Sequence, residues 1–295
     1  MRVLEYDAFT TVPGQGNPAG VVLDARDLSD EAMQRIAKAV GFNETVFVLP
    51  SETADVRLRY FTPGHETNLC GHATVGAVYA LRERGLRKEI RSIETKAGVL
   101  PVEIRVDTVK GTRVRMRQAE PLFHDFEGDR ADLAASMGLT PVDLDARLPI
   151  RYGSTGSWTL LVPIRSLEAF SRMRPDPARF PEILTWNPRA SVHPFVAESV
   201  DPACQAHARH FSSPVSQTRE DPVTGTASGV MAAYWLDAIT GSDHVAIAVE
   251  QGLEIGRPGV CHAEAAREGN GMVVHIEGLC VYGGPLPCVL QDIGC

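Results

Sequence analysis

A two-lobed α+β fold, with two lobes of similar build, is the architecture this sequence predicts, and three observations predict it. The 295 residues exceed one ordinary small domain and suit two of about 120–150 residues each. The order strand, strand, helix, strand, strand, loop, helix, strands runs through the chain twice. Two segments also echo each other in the same order. CGHATVGAVYAL (70–81) lies over TGTASGVMAAYWL (224–236) with one inserted residue, each after an F-T or F-S pair. Downstream, ETKAGVLPVEI (94–104) compares with VEQGLEIGRPGVCHAEA (249–265), both placing an acid before a glycine turn and a returning strand. The lobes are expected at 1–118 and 119–295, with the C-terminal stretch free to cross back to the first.

In the first half, alternation of apolar and polar residues over 2–8 and 21–24 reads as two strands around the loop TVPGQGNPAG. A helix follows, capped by Asp27 or Ser29, with acids Asp30 and Glu31 in its first turn. Met33, Ile36, Ala37 and Val40 share one face until Gly41 stops it. Residues 45–49 and 56–61 read as strands ended by Pro63 and Gly64. After GHETNL, small and apolar residues over 73–81 predict a tightly packed helix terminated by Gly85. Strands at 90–95, 100–106 and 112–116 complete the half.

The second half opens with strands at 149–152 and 158–163, then helical stretches at 166–173 and 177–184. Strands at 192–197 and 203–211 precede the loop SSPVSQTREDPV, a helix of small residues through Leu236, and strands to the end.

Bulk properties narrow the function. Hydrophobic residues make up 44% and charged residues 22%, the balance of a chain that folds throughout. A net charge of −8 offers no positive field for phosphates or an anionic membrane, so nucleic acid and membrane partners are not expected. No basic segment followed by an apolar run opens the chain and no apolar stretch is long enough to span a bilayer, so a cytoplasmic, soluble protein is expected. The six cysteines (Cys70, Cys204, Cys261, Cys280, Cys288, Cys295) are diluted over a long chain and read as thiols, with Cys295 exposed and open to cross-linking.

If two such lobes face each other, the ligand belongs in the cleft between them. Gly71 and His72 at one helix start, and Gly225 and Thr226 at the other, would then aim backbone N–H groups at a carboxylate or a developing enolate. An anionic small molecule is the expected partner. A proton carrier is also needed, and NETVFV puts Glu44 between a helix end and a strand. There Phe42, Val46 and Phe47 would raise its pKa toward that of a base acting on carbon. His72 could pass protons or bind substrate, and Asp221 could orient a substrate amine or hydroxyl.

Five stretches then carry a resemblance. GNPAGVVLD (16–24), GFNETVFVLP (41–50), RYFTPGHETNLCGHATVGA (59–77), EDPVTGTASG (220–229) and VEQGLEIGRPG (249–259) run in order over nearly the whole chain. Together they resemble the PhzF-like family of phenazine biosynthesis, relatives of diaminopimelate epimerase by fold. The resemblance implies two lobes, each a barrel-like, mostly antiparallel sheet wrapped around a central helix, assembled as a homodimer without metal or organic cofactor. It implies an isomerase in which Glu44 removes and redelivers a proton, with His72 and Asp221 as catalytic partners. Gly71, Gly225 and Thr226 would line the anion site; serine is common in the family where Thr226 stands here. Relatives of the fold that racemise use two opposed cysteines, but this chain has Cys70 at the first place and Thr224 at the second. Threonine cannot act as a thiolate base, so single-base transfer is expected and Cys70 reads as a small packing residue beside the site.

Other signals read more simply as structure. His207 and His210 alternate to opposite faces of ACQAHARHF, which removes a zinc site with Cys204. No phosphate loop and no G-x-S-x-G elbow is present. Trp158, Trp186 and Trp235 read as core or interlobe anchors, with a dimer face able to claim one, and Arg57, Arg59 and Arg82 as solvated faces. Two further readings stay open: a non-catalytic ligand-binding or scaffold protein of the same fold, and a cysteine-dependent epimerase.

Overall fold

The computed structural model describes residues 2–107, 111–213 and 218–287. The chain divides into two compact units, Met1–Arg117 with Glu277–Cys295, and Gln118–Ile276. The return of residues from 277 onward to the first unit follows from one 15-residue strand, Gly271–Pro285, which starts in the second unit and ends in the first.

In the first unit β1 (Leu4–Ala8) pairs antiparallel with β2 (Asn17–Val22). Helix α1 (Asp30–Val40) then carries the chain over to β3 (Glu44–Leu49), which lies parallel to β2. β4 (Val56–Phe61) returns antiparallel and pairs with the short β5 (Glu66–Thr67). Helix α2 (Gly71–Glu83) leads to β6 (Ser92–Thr95), parallel to β4, and β7 (Gly98–Asp107) and β8 (Gly111–Arg117) follow antiparallel. The C-terminal strand pairs with both β8 and β1 and closes an eight-strand barrel.

The helices obey their local chemistry. Ser29 Oγ accepts the Ala32 amide at 3.2 Å, and Gly41 ends α1 at φ 73°. The apolar face of α1 (Met33, Ile36, Ala37) packs on Val3, Val22, Phe47 and Phe61 outside the barrel. α2 is buried on nearly every side and packs on β1, β2, β3 and β8, so it fills the barrel. That position explains a sequence of small and apolar residues with no polar face.

The second unit runs β9 (Leu122–Asp125), α3 (Arg130–Ser136), β10 (Arg151–Ser154), β11 (Trp158–Pro163), α4 (Leu167–Arg172), α5 (Phe180–Ile183), β12 (Ser191–Val196), β13 (Ala206–Ala208), α6 (Gly225–Tyr234), β14 (His244–Gln251), β15 (Gly259–Glu268) and β16 (Gly271–Pro285). The strand order is β16-β15-β14-β13-β12-β11-β10-β9. α6 touches β10 near one end of that order and β15 near the other, so the sheet curls around the helix. A second core, including Leu133, Met137, Phe170, Phe180 and Phe211, is built with α3, α4 and α5.

The two units repeat one strand grammar. In the first, β2 and β3 are parallel across α1, β3 and β4 antiparallel, and β4 and β6 parallel across α2. In the second, β11 and β12 are parallel across α4 and α5, β12 and β13 antiparallel, and β13 and β14 parallel across α6. The helix starts match in detail: Thr74 Oγ1 donates to the Cys70 carbonyl at 2.7 Å, and Ser228 Oγ donates to the Thr224 carbonyl at 2.9 Å. This is the expected α+β fold of two similar lobes.

Several local expectations change. Residues 17–20, read as loop because of Asn, Pro and Gly, form the start of β2, since Pro18 faces Asp7 within the pairing and the segment is fully buried. β9 and α3 have no counterpart among the elements expected from sequence; Asp129 caps α3 by accepting from the Ala131 and Asp132 amides. Arg59 is no solvated face: its guanidinium bonds both oxygens of Glu66 at 2.7 and 2.9 Å and Asp30 at 2.6 Å. Trp186 is no buried anchor: it is 44% exposed and stacks on His124 at 4.1 Å. Cys70, Cys204, Cys261 and Cys280 are buried free thiols, whereas Cys288, Cys295 and residues 214–217 of the expected loop lie outside the described residues. Among the described residues no helix is long and apolar enough to cross a membrane.

Candidate active site

The site in the first unit begins with a turn. Gly16 adopts φ 61°, and a Cβ there would come within 2.3 Å of the Ala8 carbonyl, so only glycine lets the chain fold back this tightly. The turn sets Asn17 opposite Ala8 at the start of β2, fully buried. Asn17 Nδ2 stands 3.0 Å from His72 Nδ1 in the first turn of α2. The other ring nitrogen, Nε2, stands 3.3 Å from Glu44 Oε2. With Asn17 Nδ2 as donor, Nδ1 accepts, and the neutral imidazole carries its proton on Nε2, facing the carboxylate. A buried amide thus fixes the tautomer of a buried histidine, which orients a glutamate that is 20% exposed.

Glu44 is the first residue of β3 and turns toward α2, while Phe47 joins the core under α1 on the opposite face. Strand alternation therefore removes Phe47 from the apolar neighbours expected around the acid. His72 is a partner of the carboxylate instead. Below them, Tyr60 OH and Thr74 Oγ1 lie 2.6 Å apart, and Thr74 donates to the Cys70 carbonyl, tying the start of α2 to β4. The first intrahelical bond of α2 runs from the Thr74 amide to Cys70, so the amides of residues 71–73 precede it and form the positive end of the helix.

Cys70 Sγ lies 3.4 Å from His72 Nδ1 and 3.8 Å from Nε2. Glu44, Cys70 and His72 therefore bring one ligand-type atom each within 4.8 Å of one another, the grouping with metal-ligand chemistry among the described residues.

The second unit builds a different constellation at the start of α6. Thr224 Oγ1 donates to Asp221 Oδ2 at 2.5 Å, and the Asp221 amide donates to the His210 carbonyl at 2.9 Å. Gly225 and Thr226 open the helix, whose first intrahelical bond runs from the Ser228 amide to Thr224, and the Thr226 carbonyl accepts Thr155 Oγ1 at 3.1 Å. His210 Nδ1 sits 3.2 Å from His193 Nδ1. Burial pushes His210 down to about 4 against the opposing charge of Asp221, and burial also holds His193 well below its ordinary value, so both are neutral at pH 7.

The sequence-selected residues thus fall into two groups: Glu44, Cys70, Gly71 and His72 come together in the first unit, and Asp221, Gly225 and Thr226 in the second. Three contributors escaped sequence reasoning: Asn17, Gln251 and the His193–His210 pair. Asn17 and Gln251 lie inside GNPAGVVLD and VEQGLEIGRPG, where they read as turn and strand residues; their partners are 55 and 30 or fewer positions away. His207 and His210 have different partners: His207 bonds Glu250 and Glu254, both at 2.8 Å, and His210 faces His193.

The family model described as phenazine biosynthesis-like protein matches residues 6–283. An uncharacterized isomerase of Bacillus subtilis, YfhB, is 51% identical over 95% of this chain and 96% of its own length. Trans-2,3-dihydro-3-hydroxyanthranilate isomerase of Pseudomonas aeruginosa is 32% identical over 91% of each chain. A Bacillus anthracis phenazine biosynthesis protein of the PhzF family, solved by crystallography, superposes with TM-score 0.94 at 50% identity, covering 97% of this chain and 98% of that one.

Proposed function

Because the chain belongs to the phenazine biosynthesis-like protein family and is an isomerase, we propose that it shifts a proton between carbons of a small carboxylate-bearing metabolite, with Glu44 as both base and acid. The observation that carries this reading is the line Asn17–His72–Glu44, which holds a carboxylate beside the amides that open α2.

Glu44 takes a proton from an sp³ carbon next to a double bond. The C–H electron pair enters the π system, and charge develops toward the substrate carboxylate or an enolate oxygen. Amides of residues 71–73 favour that charge, and the double bond moves one position. Glu44 then returns the proton to the far end of the allylic system, so substrate and product are isomers and no electrons are exchanged. His72 Nδ1 is occupied by Asn17, which discourages the ring from relaying that proton onward and favours return by the same carboxylate. Cys70 packs against His72, and we assign Asp221 to orienting the substrate as a catalytic partner and Gly225 and Thr226 to binding it. The same reading includes homodimeric assembly and action without a metal or organic cofactor. Thr224, which opens α6 where Cys70 opens α2, has no thiol, so nothing favours two-cysteine epimerisation.

The test is incubation in deuterated water with trans-2,3-dihydro-3-hydroxyanthranilate, the compound in the name of the Pseudomonas aeruginosa relative, and a panel of unsaturated acids. Deuterium should enter one carbon, incompletely, because part of the abstracted hydrogen returns. Glu44→Gln keeps an oxygen for His72 and should slow exchange by about 10²–10⁴-fold, while dialysis against EDTA leaves the wild-type rate unchanged. Exchange at the wild-type rate in Glu44→Gln puts the base elsewhere; tight binding with no exchange across the panel favours the non-catalytic reading.

A further inference from the structure

VEQGLEIGRPG is the one family stretch to which the reaction gives no part, and two of its residues, Gln251 and Gly252, meet the turn that carries Asp221. Gln251, the last residue of β14, is fully buried. Its Nε2 donates to the Asp221 carbonyl at 2.7 Å and to Thr224 Oγ1 at 3.4 Å, and its Oε1 accepts the Thr224 amide at 3.2 Å. Thr224 Oγ1 in turn donates to Asp221 Oδ2. One side chain therefore holds both ends of the 221–224 turn, and through the threonine hydroxyl it reaches the carboxylate itself.

Its neighbours fix Gln251 in place. Glu250 and Glu254 grip His207 from either side, and Glu250 also accepts the amides of Val200 at 2.6 Å and Asp201 at 2.9 Å. Gly252, at φ 84°, lets the chain turn beside the Pro222 carbonyl; a Cβ would stand 2.9 Å from that oxygen and 2.2 Å from the Arg257 carbonyl.

We propose that Gln251 is the positioning residue for Asp221, setting the carboxylate and the opening amides of α6 in one geometry; the proposal rests on the reading that Asp221 contacts substrate. Its physical basis is that a buried amide with two donor bonds and one acceptor bond has one low-energy orientation, so the turn it binds inherits that orientation.

The experiment compares wild type, Gln251→Met, Gln251→Glu and Asp221→Asn by two readouts: peptide-resolved hydrogen exchange over 218–230, and kcat and KM for deuterium incorporation into trans-2,3-dihydro-3-hydroxyanthranilate. Gln251→Met fills the same space without polar atoms; it should speed exchange across the turn by about tenfold or more and lower kcat by about 10–100-fold with a smaller change in KM. Gln251→Glu keeps the acceptor for the Thr224 amide but loses both donors, and should fall between wild type and Gln251→Met in both readouts. It also keeps the test open if the methionine variant fails to fold. Impaired Asp221→Asn with wild-type behaviour of both Gln251 variants overturns the positioning role alone. Full activity in Asp221→Asn overturns the reading beneath it, and the positioning role with it. Faster exchange with unchanged kcat leaves Gln251 a merely structural brace and refutes the proposal.

Discussion

Replacing Glu254 by Gln tests whether the clasp around His207 is held by charge. Burial alone would lower the His207 pKa, yet the hydrogen bonds and charges of Glu254 and Glu250 outweigh it and the pKa is raised. Burial likewise would raise that of Glu254, but the bond and charge of His207, with a smaller contribution from Arg209, lower it. The Phe170 ring stands nearly perpendicular to the His207 ring, with 5.0 Å between their centroids. A histidine with a raised folded-state value contributes stability fully below its unfolded value near 6.5 and loses it as pH rises through the folded value. A glutamate with a lowered folded-state value contributes above its unfolded value near 4.5 and loses that as pH falls through the folded value. The clasp is therefore strongest between these limits, around pH 6. A hydrogen bond to a charged partner contributes roughly 1.5–3 kcal/mol. The Glu254 side chain is 21% exposed, which takes the lower end of that range, about 1.5 kcal/mol. At roughly 2–4 °C per kcal/mol, Glu254→Gln should lower Tm by about 3–6 °C at pH 6. Once pH has risen past the raised folded-state value the ring is neutral, and with Nδ1–H committed to Glu250 its Nε2 lone pair faces the Glu254 carboxylate. The substituted amide can donate there, so the difference should vanish or change sign. Urea and thermal unfolding of both proteins at pH 6 and pH 9 measure this directly. A penalty of equal size at both pH values would refute a charged clasp.

Two further outcomes follow from backbone and burial. Thr45 Oγ1 is buried with no hydrogen-bond partner among the described residues, so Thr45→Val should raise stability by about 1 kcal/mol, seen as a higher urea midpoint at unchanged slope. A loss of similar size would show that the hydroxyl is paired. Gly252→Ala meets the Arg257 carbonyl at 2.2 Å in a left-handed conformation, and should cost at least about 3 kcal/mol, lowering Tm by about 6 °C or more. A Tm within about 2 °C of wild type would show that the turn relaxes.

Much of the fold was legible because local chemistry and tertiary structure agree. Ser29, Gly41 and the face Met33, Ile36, Ala37 mark α1 by capping and periodicity, and the alternation of VRLRYF marks β4 at its observed limits. The repeat was legible because both central helices must be small and apolar on every side to be enclosed by a sheet. Where the signals conflict, reading failed. NPAG has turn composition but is drawn into β2 by pairing with β1, and the short β9 has no pattern long enough to register.

Glu44, His72 and Asp221 could be selected from sequence because their residue types and their places at element ends announce chemistry. The links between them could not. Asn17 meets His72 across 55 positions, Gln251 meets Asp221 across 30, and His193 meets His210 across 17, and no periodicity in a linear chain encodes such pairs. By itself the sequence marked most of the secondary elements, their duplication and the candidate site residues, since these depend on interactions within a few residues. Only the tertiary structure decided which tautomer His72 adopts, which way Glu44 faces and what holds the Asp221 turn, because hydrogen-bond partners are set where separate strands and helix starts converge.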